Sequence, residues 1–156
     1  MQKPRGRPLK DSRNYQKARD ELAYLHRKAS RRRDDLIGCV SSDVVKNHDL
    51  IAVERLNIRG LLKNHKLAMA ISDAGWYKFQ TALAQKTAST EKVFIRVPAK
   101  DTTQRCNQCG YTCYGDDKVI LGQDEWICPQ CGTHHLRNVN AAINILEKGL
   151  LISSEA

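Results

Sequence analysis

At 156 residues the chain has room for one modest core, or for a core and a small metal-stapled module. Its formal charge is +9, and residues 1–33 hold 12 Lys/Arg against 3 Asp/Glu while the other 123 residues hold 14 of each sign, so a basic arm precedes a neutral body. No apolar run is long enough for a bilayer-spanning helix and none near Met1 reads as a signal peptide, which leads us to expect a cytoplasmic protein, nucleoid-associated if it binds DNA.

Residues 1–10 are too polar and too rich in Pro and Gly to bury a core and are expected to be a disordered basic arm. Within them Pro4-Arg5-Gly6-Arg7-Pro8 looks like an AT-hook core: Arg5 and Arg7 on an extended backbone, with glycine between them, fit a narrow minor groove of high negative potential. A generic solubilising tail is the alternative. From Asp11 to about Lys46, Tyr15, Ala18, Leu22, Leu25, Ala29, Leu36, Val40 and Val44 recur at near-helical spacing, predicting one helix or two in tandem whose stripe needs a partner surface. Arg31, Arg32 and Arg33 interrupt that stripe and read as a solvated face or as phosphate contacts.

Leu50–Glu54 reads as a buried strand ending in a carboxylate, and Asn57-Ile58-Arg59-Gly60 as a turn. Glu54 is a candidate site residue or an exposed strand end. Lys66 to about Lys86 is predicted to be a helix with Met69, Trp76, Phe79 and Leu83 on one face as core residues, weakened at Gly75. Val93–Val97 is a second strand, and Pro98 ends its ladder.

Cys106-Asn107-Gln108-Cys109 and Cys128-Pro129-Gln130-Cys131 are two Cys-x-x-Cys pairs, 18 residues apart, each followed by glycine. Both sulfurs of such a turn reach one ion, and two turns close a tetrahedron, so Cys106, Cys109, Cys128 and Cys131 are read as ligands of a structural Zn2+. Two disulfides are the alternative, disfavoured in a reducing compartment. Cys39 and Cys113 are left over, and Cys113, His134 and His135 are expected to lie outside the ligand set. The spacer is expected to form a hairpin, with Tyr114–Asp117 as its turn and Val119–Leu121 and Trp126-Ile127 as its strands. Asn138–Glu147 is predicted to be a helix that buries Val139, Ala142, Ile143 and Leu146, with Ser153–Ala156 frayed.

Val53-Glu54-Arg55-Leu56-Asn57, Ile71–Trp76, the cysteine pairs and Arg137–Ile145, in this order, resemble the C-terminal part of the OrfB/TnpB transposon proteins, RNA-guided nucleases related to type V CRISPR effectors. The resemblance covers about residues 12–150. It implies an α+β fold, a partial RNase H-like (RuvC) domain with a long N-terminal helix and a zinc ribbon inserted before the last helix. The division expected from it is a basic arm (1–10), a helical segment with a partial RuvC-like region (11–101), the ribbon (102–135) and the C-terminal helix (136–152).

Two-metal phosphodiester hydrolysis needs several carboxylates converging on paired metal ions. Of the family's three acid positions, Glu54 matches the second, Asn138 stands where the third would carry aspartate, and the first-strand aspartate has no counterpart in these residues. An amide offers a metal one neutral oxygen without the charge of a carboxylate. The resemblance therefore implies a nucleic-acid-binding relative that is nuclease-inactive by itself, with DNA and a guide RNA as candidate partners. Alternatives are the distal half of a split nuclease, using Mg2+ only once another chain completes the site, and a structural interaction module or gene remnant.

Overall fold

The computed structural model describes residues 12–66 and 68–155, without the side chain of Arg59. The expected basic arm, with Arg5 and Arg7, lies outside the described residues. In chain order the elements are α1 (Arg13–Asn47), β1 (Leu50–Arg55), α2 (Ile58–Leu61), α3 (Ala68–Ala74), α4 (Trp76–Ala88), β2 (Val93–Pro98), β3 (Glu125–Ile127), β4 (His134–Leu136) and α5 (Arg137–Ser154).

β1 and β2 are parallel, with Leu50 opposite Val93 and Glu54 opposite Val97, and α2, α3 and α4 supply the crossover that a parallel pair requires. Side chains alternate across the pleat. Ile51 and Val53 meet Phe94 on one side and join Val45, Leu83 and Phe79 of α1 and α4 in a small core. The opposite side is covered by α5, where a Cβ on Gly149 would lie 2.6 Å from the Cβ of Ala52. Only glycine lets the helix axis come so close to the sheet. The result is a three-layer α+β arrangement.

α1 is a single helix, and only its C-terminal half is docked, through Ser41 and Val45. Most of the expected stripe does not find a partner: Tyr15, Leu22, Leu25, Leu36 and Val40 are exposed, and Val44 at its end packs against the core. The docked face is set by Lys86 of α4, whose ammonium donates to the Gly38 carbonyl (2.5 Å) and to Ser41 Oγ (2.8 Å). The buried positions are therefore shifted by one residue from the stripe that hydrophobicity marks.

The helix predicted for residues 66–86 is two helices. Gly75 takes a left-handed conformation (φ +66°) and turns the chain between α3 and α4. Phe79 and Leu83 keep their core positions, but Met69, on the far side of the break, is 79% exposed and Trp76 is 42% exposed.

α5 reverses the expectation most sharply. Val139, Ala142, Ile143 and Leu146 lie on the solvent side, and the buried face is Asn140, Ala141, Asn144 and Gly149. Small and amide side chains permit a close approach that a leucine stripe would block. The helix also continues to Ser154, beyond the expected frayed end.

Candidate metal centre and nucleic-acid interface

Two turns with the same hydrogen bonds build the cysteine site. In the first, Cys106 N–H donates to the Tyr111 carbonyl (2.7 Å) and Gly110 N–H to the Cys106 carbonyl (2.9 Å). In the second, Cys128 N–H donates to Thr133 (2.9 Å) and Gly132 N–H to Cys128 (2.9 Å). Each turn needs one residue at positive φ, and Gly110 (+78°) and Gly132 (+71°) supply it.

The spacer does not form its own hairpin, and Val119–Leu121 is not a strand. Gln104 takes the place of a partner strand at Val119, donating from Nε2 to its carbonyl (2.9 Å) and accepting its N–H at Oε1 (3.0 Å). The strand at Trp126 pairs instead with β4, Trp126 opposite His135, so the second cysteine turn is the hairpin's connection. Cys113 is fully buried beside Cys106, Val119, Trp126 and Cys128. It is a core residue of the ribbon, and burial pushes its thiol up from the usual range.

The sulfurs of Cys106, Cys109, Cys128 and Cys131 all lie within 4.8 Å of one another. Cys106 to Cys131 is 3.8 Å and Cys109 to Cys128 is 3.7 Å. A tetrahedron with metal–sulfur arms of about 2.3 Å has edges of about 3.8 Å. The tetrad can therefore hold one metal ion. Its protonation leads to the same place. Hydrogen bonds from the Thr133 hydroxyl and backbone bring Cys131 down to about 6. Cys109 accepts a favourable backbone bond from Tyr111, yet desolvation and the three neighbouring sulfurs push it up to about 12. Four thiolates at this separation cannot coexist without a cation among them.

Residues 76–145, which include the tetrad, match the family profile described as "Cas12f1-like, TNB domain", and residues 2–65 match the OrfB_IS605 profile, described as "Probable transposase". The chain matches the OrfB/TnpB family in two successive stretches. It is 38% identical to a Streptomyces pristinaespiralis protein named "Putative RNA-guided DNA endonuclease", over 95% of this chain and 36% of that protein. It is 30% identical to Escherichia coli K12 InsQ, named likewise, over 96% and 40%. The "TnpB-like protein L79" of Acanthamoeba polyphaga mimivirus is 26% identical over 92% and 28%. The chain thus spans about 28–40% of the length of these curated relatives. Among solved structures, the Cas12f1–sgRNA–target DNA complex contains a chain matched with TM-score 0.62 and 16% identity, over 80% of this chain and 36% of that one. The fold is accordingly the α+β one expected of a partial RuvC-like domain, with the cysteine module between β2 and α5.

In OrfB/TnpB terms, the structure treats the two candidate acid positions differently. Glu54 is half-buried at the end of β1, and the buried Thr102 hydroxyl donates to its Oε1. Asn138 is exposed in the first turn of α5, beside Val139 and Ala142 on the outward face. No hydrogen bond joins them. Among the described residues the tetrad is the group of Cys, His, Asp or Glu whose ligand atoms converge, and neither Glu54 nor Asn138 belongs to it. Of the three arginines in α1, Arg31 and Arg32 are exposed without an acidic partner among the described residues, whereas Arg33 donates to the Asp73 carboxylate and carbonyl. Arg33 thereby ties α1 to α3.

Composition-based reading missed the residues that fasten the ribbon to the sheet. Asn140 accepts the Asn107 N–H (3.0 Å) and donates to the Arg105 carbonyl (2.8 Å); Asn144 donates to the carbonyls of Thr102 (2.9 Å) and Arg105 (2.6 Å). Arg105 returns across the helix to Glu147 (2.9 Å). The available signal was the i, i+4 repeat of asparagine on a helix, which puts both amides on one face.

Proposed function

We propose that this chain is a nucleic-acid-binding, zinc-stapled part of an OrfB/TnpB-type protein that does not cleave DNA by itself. The observation that carries the reading is the contrast between charge and acid placement: the whole positive excess lies in residues 1–33, while Glu54 is the one family acid position filled by an acid. Arg5, Arg7, Arg31, Arg32 and Arg33 are the basic contacts in this reading, Arg33 also being paired with Asp73. DNA and a guide RNA are the partners that the names of the relatives and of the solved complex suggest. The division into arm, RuvC-like region, ribbon (102–135) and final helix (136–152) is part of the same proposal, as is a place in the cytoplasm or on the nucleoid. Among the described residues, no helix is long and apolar enough to cross a membrane.

Zinc is the ion that four thiolates at tetrahedral separation favour, and a closed four-sulfur site leaves no position for substrate, so its role is structural. A second reading, in which another segment or chain completes a magnesium-dependent centre around Glu54, is favoured by the two-stranded sheet, whose outer edges are unpaired among the described residues. Purified chain is assayed for metal content, for nucleic-acid binding and for Mg2+- or Mn2+-dependent cleavage. One zinc per chain, binding and no cleavage are expected. Cleavage abolished by Glu54→Gln would overturn the first reading.

A further inference from the structure

Away from the tetrad and the basic arm, a groove of about 670 Å³ runs between α4 and the C-terminal ends of β1 and β2. The strand register, with Val53 opposite Arg96 and Arg55 opposite Pro98, places Arg55 and Arg96 on the side of the sheet that faces α4. On that side the sheet passes from the core residues Ile51, Val53 and Phe94 to two guanidiniums. Arg96 lies over the Phe94 ring at 5.3 Å, which orients it without neutralising it. Neither arginine has an acidic partner among the described residues, whereas Arg33, Lys78, Lys92 and Arg105 each have one.

The opposite wall is α4. Tyr77, 68% exposed, lines the groove and also borders an adjoining apolar hollow of about 400 Å³ that contains Trp76. Gln80 donates to the Glu54 carbonyl (3.1 Å) and so fixes this wall against the end of β1. Two unpaired guanidiniums thus share a groove with the accessible Tyr77 ring, its walls tied together, and Trp76 follows in the adjoining hollow.

This combination selects its ligand. Guanidiniums take phosphate, and flat aromatic faces take unstacked bases. A duplex keeps its base faces inside the stack and offers none to Tyr77; an acidic peptide answers the arginines alone. We propose that the groove binds single-stranded nucleic acid without sequence preference, with a phosphate held by Arg55 and Arg96 and successive bases stacked on Tyr77 and Trp76. The proposal rests on the nucleic-acid reading above and adds a contact on the body, separate from the arm and specific to single strands.

The test uses the full chain with an unstructured oligothymidylate carrying 5-iododeoxyuridine, and a duplex of equal length. Photocrosslinks mapped by mass spectrometry are expected on Tyr77 or Trp76, and this readout needs no variant. Arg55→Gln with Arg96→Gln, and separately Tyr77→Ala, are expected to weaken single-strand binding about tenfold while duplex affinity changes less than twofold. Crosslinks confined to residues outside 55–96, with both variants binding single strands as the parent does, would overturn the groove and leave duplex binding by the arm intact. Failure of the unaltered chain to bind either form would overturn both readings together.

Discussion

His135 holds its Nε2 3.1 Å from the sulfur of Cys106, and its ring lies 4.6 Å from that of Trp126. A metal-bound thiolate can only accept, so this nitrogen would carry a proton, and in the neutral imidazole the other ring nitrogen is bare. Burial favours the same state, holding His135 below its ordinary value. His135→Phe keeps the stacked ring and removes the donor, and is expected to lower metal affinity about 10–100-fold in a chelator competition. The pH dependence has a definite sign. With the folded value depressed, the unfolded chain binds the extra proton first, so this contribution is full above about pH 6.5 and is lost as pH falls through the depressed folded value. The parent's melting temperature should fall more steeply than the variant's below that point.

Serine at any one of positions 106, 109, 128 or 131 should release the metal, because structural zinc contributes about 10–16 kcal/mol of apparent free energy in small fingers and three sulfurs do not close the site. Cys113→Ser should retain one equivalent, since Cys113 packs in the ribbon core outside the tetrad. Burying its hydroxyl should still cost about 1–3 kcal/mol of stability. Elemental analysis with thermal melts separates the two effects.

Asn144→Ala and Asn140→Ala are each expected to destabilise by about 1–3 kcal/mol, since the first leaves the Thr102 carbonyl and the second the Asn107 N–H without its partner, the Arg105 carbonyl keeping the other amide in each case. The Asn107 amide, which donates to Asn140, should lose hydrogen-exchange protection in Asn140→Ala before the metal is lost. Unchanged protection there would contradict the fastening role.

Much of the fold was legible from local pattern. The strand ending in Glu54, its partner at Val93, the long first helix and the cysteine turns all announce themselves by periodicity or spacing. What was not legible depends on close approach. Gly149 against Ala52 lets α5 bury amides and turn its leucines outward, and a reading that equates apolar with buried inverts that helix. Gln104 satisfying Val119 replaced a strand by side-chain bonds that no period encodes. Gly75 carried a visible helix-weakening signal, but its positive φ and the separation of Met69 from Phe79 are facts of tertiary packing.

The chain alone should show no Mg2+- or Mn2+-dependent cleavage of single- or double-stranded DNA, and Asn138→Asp should not create it, because one further acid beside Glu54 still leaves the family's first acid position unfilled in these residues. Product analysis on denaturing gels, with Glu54→Gln as control, decides this.

The central claim, that the basic arm carries the duplex affinity of a body with balanced charge, is tested most directly by a salt titration. Binding to A·T-rich and G·C-rich duplexes is measured for the parent, for Arg5→Ala with Arg7→Ala, and for Arg31→Gln with Arg32→Gln. Each phosphate contact removed should flatten the slope of log K against log salt by about 0.9. The first pair should lose A·T preference, and the second should weaken binding to both duplexes alike. Parent-like slopes and affinities in both variants would contradict the account.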